Sequence, residues 1–129
     1  MNDRTSQLIS LISIVDDDKS VREAITSLLR SNGFRTRVFA SAEEFLASPA
    51  RSETNCLILD INMPGMNGVE LQWRLKAEHC PIPIIFITAH ADHKTKEEVL
   101  RRGAIDLLAK PFTEDSLLRA IEAALQKSA

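Results

Sequence analysis

The 129-residue chain predicts an α/β fold: a doubly wound five-stranded parallel sheet, order 2-1-3-4-5, with helices on both faces. Three observations carry this. Short aliphatic runs alternate with helix-period segments five times along the chain. The runs "LISIV", "CLILD" and "IPIIFIT" are almost uninterruptedly apolar, as strands covered on both faces must be. No internal repeat, linker or low-complexity stretch divides the pattern, so residues 1–129 read as one domain with a core from about 11 to 126.

In chain order, residues 11–15 (LISIV) form a first strand stopped by three acids. The segment VREAITSLLR (21–30) is helical, with Val21, Ala24, Ile25 and Leu28 on one face, and Gly33 suits the left-handed residue past its end. Residues 35–39 (RTRVF) alternate as a half-exposed edge strand. Ser41 to Glu44 has capping-box spacing and starts a short helix that turns Phe45 and Leu46 inward and ends at Pro49. Residues 56–60 (CLILD) are a buried strand. A helix over 68–78 follows, its apolar positions Val69, Leu71, Trp73 and Leu75. Residues 82–88 form the fourth strand, and 94–102 a helix with little apolar content beyond Val99 and Leu100, closed by Gly103. Residues 104–109 form the last strand. Thr113 caps the last helix, with Glu114 and Asp115 in its first turn and Leu117, Ile121, Ala124 and Leu125 inward. Five βα units in this order give the flavodoxin-like arrangement.

Composition excludes several classes of function. The net charge of −2 offers no polyanion-binding surface through bulk charge. Cys56 and Cys80 lack zinc or redox spacing, and Cys56 reads as a small core residue. No run approaches a membrane span, and the first ten residues carry no secretory leader pattern. The expected setting is cytoplasmic.

The strand ends carry the chemistry. The first ends in Asp16-Asp17-Asp18, the third in Asp60, the fourth in Thr88 and the fifth in Ala109-Lys110-Pro111. In open parallel sheets, ligands bind at this edge, where the strand order reverses. Two carboxylates 4 Å apart repel by roughly 4 kcal/mol at an effective dielectric near 20. A hard divalent ion relieves that repulsion, and Mg²⁺ accepts one or two carboxylates plus a phosphate. With Lys110 and Thr88 beside it, Asp60 is suited to act as nucleophile toward a phosphoryl group, giving an acyl phosphate.

The motifs "IVDDD" (14–18), "LILDINMPGMNG" (57–68), "FITAH" (86–90) and "LLAKPF" (107–112) resemble those of response-regulator receiver domains of bacterial two-component systems. The resemblance runs from about Ile12 to Leu125 and is greatest to receivers of the FixJ type, which usually precede a LuxR-type helix-turn-helix. It implies Asp60 as phosphoacceptor, fed by a sensor histidine kinase. By the same resemblance Asp16 and Asp17 would serve Mg²⁺ (Mn²⁺ substituting), with Asp17 favoured as the direct ligand and the Asn62 backbone carbonyl completing the set. It further implies Thr88 as switch hydroxyl, Lys110 as phosphate partner and a cis Lys110–Pro111 bond. Phosphorylation would strengthen a homodimer or effector contact, and DNA would be reached only through an effector domain absent from these residues. The protein would be no enzyme beyond its own phosphorylation and dephosphorylation. Leu107 departs from the family pattern, standing where many receivers have Phe or Tyr.

Blander roles are expected elsewhere. Asp18 caps a helix, Met63 and Met66 pack a loop, and Trp73 packs its helix. Asn62 and His90 flank the pocket and are candidates for tuning acyl-phosphate hydrolysis. Two other classes compete. A haloacid-dehalogenase-type phosphatase needs an acid two residues after the nucleophile, where this chain has Asn62, and its nucleophile sits on the first strand. A flavodoxin-like redox module needs a hydroxyl-rich phosphate loop after the first strand, where Asp16–Asp18 would repel a flavin phosphate.

Overall fold

The computed structural model describes residues 10–128, so the N-terminal segment read as lacking a leader lies almost wholly outside the described residues. The strands are β1 (Leu11–Val15), β2 (Arg35–Phe39), β3 (Cys56–Asp60), β4 (Ile84–Thr88) and β5 (Asp106–Ala109). The helices are α1 (Lys19–Ser31), α2 (Ala42–Ala47), α3 (Gly68–Ala77), α4 (His93–Arg101) and α5 (Glu114–Ser128), with a 3₁₀ turn at Pro49–Ser52. All strand pairs are parallel, in the order β2-β1-β3-β4-β5 that the sequence predicts.

Because successive side chains leave a strand on opposite faces, the sheet feeds two cores. Ile12, Ile14, Ile58, Ile85 and Ile87 meet Ile25 and Leu29 of α1 and Leu117 and Ile121 of α5. Val15, Leu57, Leu59 and Phe86 meet Phe45 of α2, Leu71 and Leu75 of α3 and Val99 of α4. Cys56 is a buried core residue, as read, and burial pushes its thiol up to about 12.

Several local expectations need correction. On α1 the buried residues are Ile25 and Leu29, while Ala24 faces solvent. β4 begins at Ile84, not 82, since Pro81 and Pro83 bring no N–H to a ladder. β5 begins at Asp106, not 104. The Ala104 N–H is committed to the Val99 carbonyl (3.0 Å), closing α4 beside Gly103 at φ 102°. Trp73 does not pack inward: it is 56% exposed, with the Arg102 guanidinium 4.0 Å from its ring centre. Gln72 takes the buried place and donates to the Val99 carbonyl (3.2 Å).

Candidate functional site

The C-terminal ends of β1, β3, β4 and β5 converge on one acidic pocket. Asp18 is the N-cap of α1, accepting from the Ser20 N–H at 2.8 Å, which leaves Asp16 and Asp17 at the strand end. Asp16 is fully buried, and one carboxylate oxygen accepts the Asp18 N–H (2.8 Å). The other faces Lys110 Nζ at 2.8 Å. Asp60 is 4% exposed, its Oδ1 3.7 Å from the same ammonium and 3.3 Å from the Asn62 N–H that donates to it.

The loop after Asp60 is shaped by a close approach. A Cβ on Gly68 would sit 2.4 Å from the Asp60 carbonyl oxygen, so α3 begins against the end of β3 only with glycine there. Asn67 and Glu70 form a capping box that starts this helix, a signal present in the sequence that the helical reading passed over. Met66 is tied by its N–H to the Glu43 carboxylate of α2 (3.0 Å), and Met63 is buried in the core, as loop packing requires.

Thr88 is fully buried at the end of β4, its Oγ1 accepting from Asn62 Nδ2 (3.1 Å) and from the His90 N–H (3.2 Å). The Lys110 N–H donates to the Thr88 carbonyl (2.8 Å), and the Lys110–Pro111 bond is cis, as expected. Leu107 is buried in the same core as Val99 of α4.

The electrostatics are unbalanced. Burial, reinforced by the charge on Asp16, raises the Asp60 carboxyl to about 6; Lys110 and the Asn62 N–H offset only part of this. Burial works against the charge on Lys110, yet its hydrogen bond to Asp16 and the charges of Asp16 and Asp60 raise its pKa overall. Carboxylate oxygens of Asp16, Asp17 and Asp60 lie within 4.8 Å of one another. Three hard oxygen donors, two of them sharing one lysine, are a donor set fitted to a divalent cation such as Mg²⁺. Of the residues predicted for the site, Asp16, Asp17, Asp60, Asn62, Thr88 and Lys110 are all gathered here. Arg22 was missed: its guanidinium donates to the Asp16 carbonyl (2.8 Å), and helical spacing alone gave no sign of it.

Sheet order, acidic pocket and lysine together define a receiver. The family model "Response regulator receiver domain" matches residues 12–122, and the chain belongs to that family, whose general role is to accept a phosphoryl group from a kinase. It is 46% identical over 126 residues to the response regulator protein TodT of Pseudomonas putida, covering 98% of this chain and 54% of that protein. It is 38% identical over 117 residues to the transcriptional regulatory protein FixJ of Bradyrhizobium diazoefficiens, covering 91% of this chain and 57% of that one. Among solved structures, the response regulator StyR superposes with a TM-score of 0.86 at 47% identity, covering 92% of this chain and 60% of that chain. The isolated FixJ-N gives 0.82 at 36%, covering 98% and 96%. The chain is thus a FixJ-type receiver, and it spans about half the length of the curated relatives it matches. Among the described residues, no helix is long and apolar enough to cross a membrane.

Proposed function

We propose that Asp60 is the phosphoacceptor and that a sensor histidine kinase is the donor. The observation that supports this best is a buried carboxylate which the protein compensates only in part. The Asp60 oxygen attacks phosphorus as the P–N bond to the donor imidazole breaks, the electron pair returning to that nitrogen. A carboxyl raised to about 6 is still mostly ionised at pH 7, and more basic than an ordinary aspartate. Lys110, held charged by Asp16, faces the position where the phosphoryl oxygens collect charge. Asp16, Asp17, Asp60 and the Asn62 backbone carbonyl would hold Mg²⁺, or Mn²⁺ in its place, which when bound neutralises the carboxylates and the incoming phosphoryl oxygens.

Thr88 is the switch hydroxyl. In moving toward the phosphoryl group it alters the packing around α4 and β5, where Leu107 stands in place of an aromatic. α4 buries only Val99 fully, which suits an element that shifts at low cost. The consequence we infer is a strengthened homodimer or effector contact on the face of the last two helices, controlling transcription. On this reading residues 1–129 are one cytoplasmic receiver domain that modifies only itself, and DNA is touched by an effector domain outside them. Labelled phosphodonor with Mg²⁺ tests the assignment. Uptake should be lost in Asp60→Asn and on chelation of the metal; undiminished uptake in that variant removes Asp60 from the role.

A further inference from the structure

We propose that the Asn62 side chain is a latch on Thr88, holding the switch hydroxyl in its unphosphorylated position. The inference rests on the roles given above to Asp60 and Thr88, and assigns Asn62 a task other than tuning hydrolysis. Thr88 Oγ1 accepts two hydrogen bonds, from Asn62 Nδ2 at 3.1 Å and from the His90 N–H at 3.2 Å. A threonine hydroxyl has two lone pairs, so its acceptor capacity is filled. The His90 N–H is local, two residues past Thr88, the last residue of β4. Asn62 belongs to the loop after β3 and ties the ends of two strands together.

The same residue also touches the acceptor, its backbone N–H donating to Asp60 Oδ1 at 3.3 Å. Backbone to the nucleophile and side chain to the switch make Asn62 the link between them. Thr88 is β-branched, so its hydroxyl moves between discrete staggered positions and does not drift. To reach a phosphoryl oxygen on Asp60 it must leave the amide. Asn62 is exposed while Thr88 is fully buried, so the freed amide can turn to water. The latch is therefore worth one neutral hydrogen bond, a bias of roughly twofold to tenfold toward the resting state.

Two measurements test it. In the free protein, three-bond couplings of the Thr88 methyl carbon should report one rotamer in wild type and averaging in Asn62→Ala; an unchanged single rotamer in the variant overturns the latch. Titration with beryllofluoride and Mg²⁺, followed by fluorine NMR, should show Asn62→Ala binding roughly twofold to tenfold more tightly than wild type. That gain should vanish in a Thr88→Ala background, where no hydroxyl remains to be held. Equal or weaker binding by Asn62→Ala, or the same gain without the hydroxyl, overturns the proposal. If wild type binds no beryllofluoride, the reading of Asp60 fails instead, and the couplings still decide the latch.

Discussion

Two buried polar clusters lie along the same strands and behave in opposite ways. On β1 and the approach to β3, Ser13 and Thr54 are both buried, their hydroxyls 2.7 Å apart, and Thr54 donates onward to the Ala50 carbonyl at 2.7 Å. Beside them the Leu11 N–H donates to the Asn55 side chain (2.8 Å). Everything there is neutral and paired. At the other end of the same strands, Asp16 and Asp60 are equally buried but share one ammonium, and Asp17 crowds them. The first cluster fastens the fold. The second is left under-compensated, and on the proposed function that deficit is what would bind a cation and make an aspartyl oxygen reactive. A buried polar group marks structure or function according to whether the protein itself has finished pairing it.

Breaking the charged cluster should have the largest effect. Lys110→Ala removes the ammonium from both carboxylates. Phosphoryl uptake should fall about a hundredfold. Urea unfolding of the metal-free protein at pH 7 should show a loss of about 1–3 kcal/mol, reduced from the fully buried case because the lysine is partly exposed. Added Mg²⁺ should recover part of that stability, and no recovery would mean that the acids do not share one cation site.

Asp60→Asn should separate function from stability. With its folded pKa raised to about 6, Asp60 favours the fold while protonated, and that contribution is lost as pH rises through 6. The asparagine variant should therefore be more stable than wild type by about 3 kcal/mol at pH 7 without metal, and the advantage should shrink toward pH 4. Denaturation curves across that range decide it; a variant less stable at neutral pH would show Asp60 to be fully compensated already.

In the neutral cluster, Ser13→Ala should cost about 1–2 kcal/mol without altering phosphoryl uptake. Ser13→Ala with Thr54→Val should cost less than the two single changes together, as removing both partners of a buried bond does. Smaller again is Arg102→Ala. It uncovers Trp73 and breaks the 2.8 Å pair with Glu98, which should cost about 0.5–1 kcal/mol and shift the emission of the chain's single tryptophan.

The same contrast explains what the sequence made legible. Strand order, both cores and the acids, threonine and lysine of the site follow from which apolar runs alternate and what terminates each one. Ser13 and Thr54 escaped because a hydroxyl inside an apolar strand gives no periodic signal, and its partner lies 41 residues away. Trp73 misled because its helical spacing predicted burial, while the cation that covers it comes from the end of α4. The starts of β4 and β5 were set by two prolines and by the closure of α4, local backbone constraints that hydrophobic pattern does not register. The sequence places Asn62 beside the site, but its bond to Thr88 depends on two strand ends meeting in space.

The central claim is that the protein leaves Asp60 short of positive charge for a divalent ion to supply. Carbon NMR of the Asp60 carboxyl, titrated with and without Mg²⁺, measures this directly. The expected midpoint is about 6 in the metal-free protein and well below that with the ion bound. A midpoint near the ordinary aspartate value that Mg²⁺ fails to move would contradict the account.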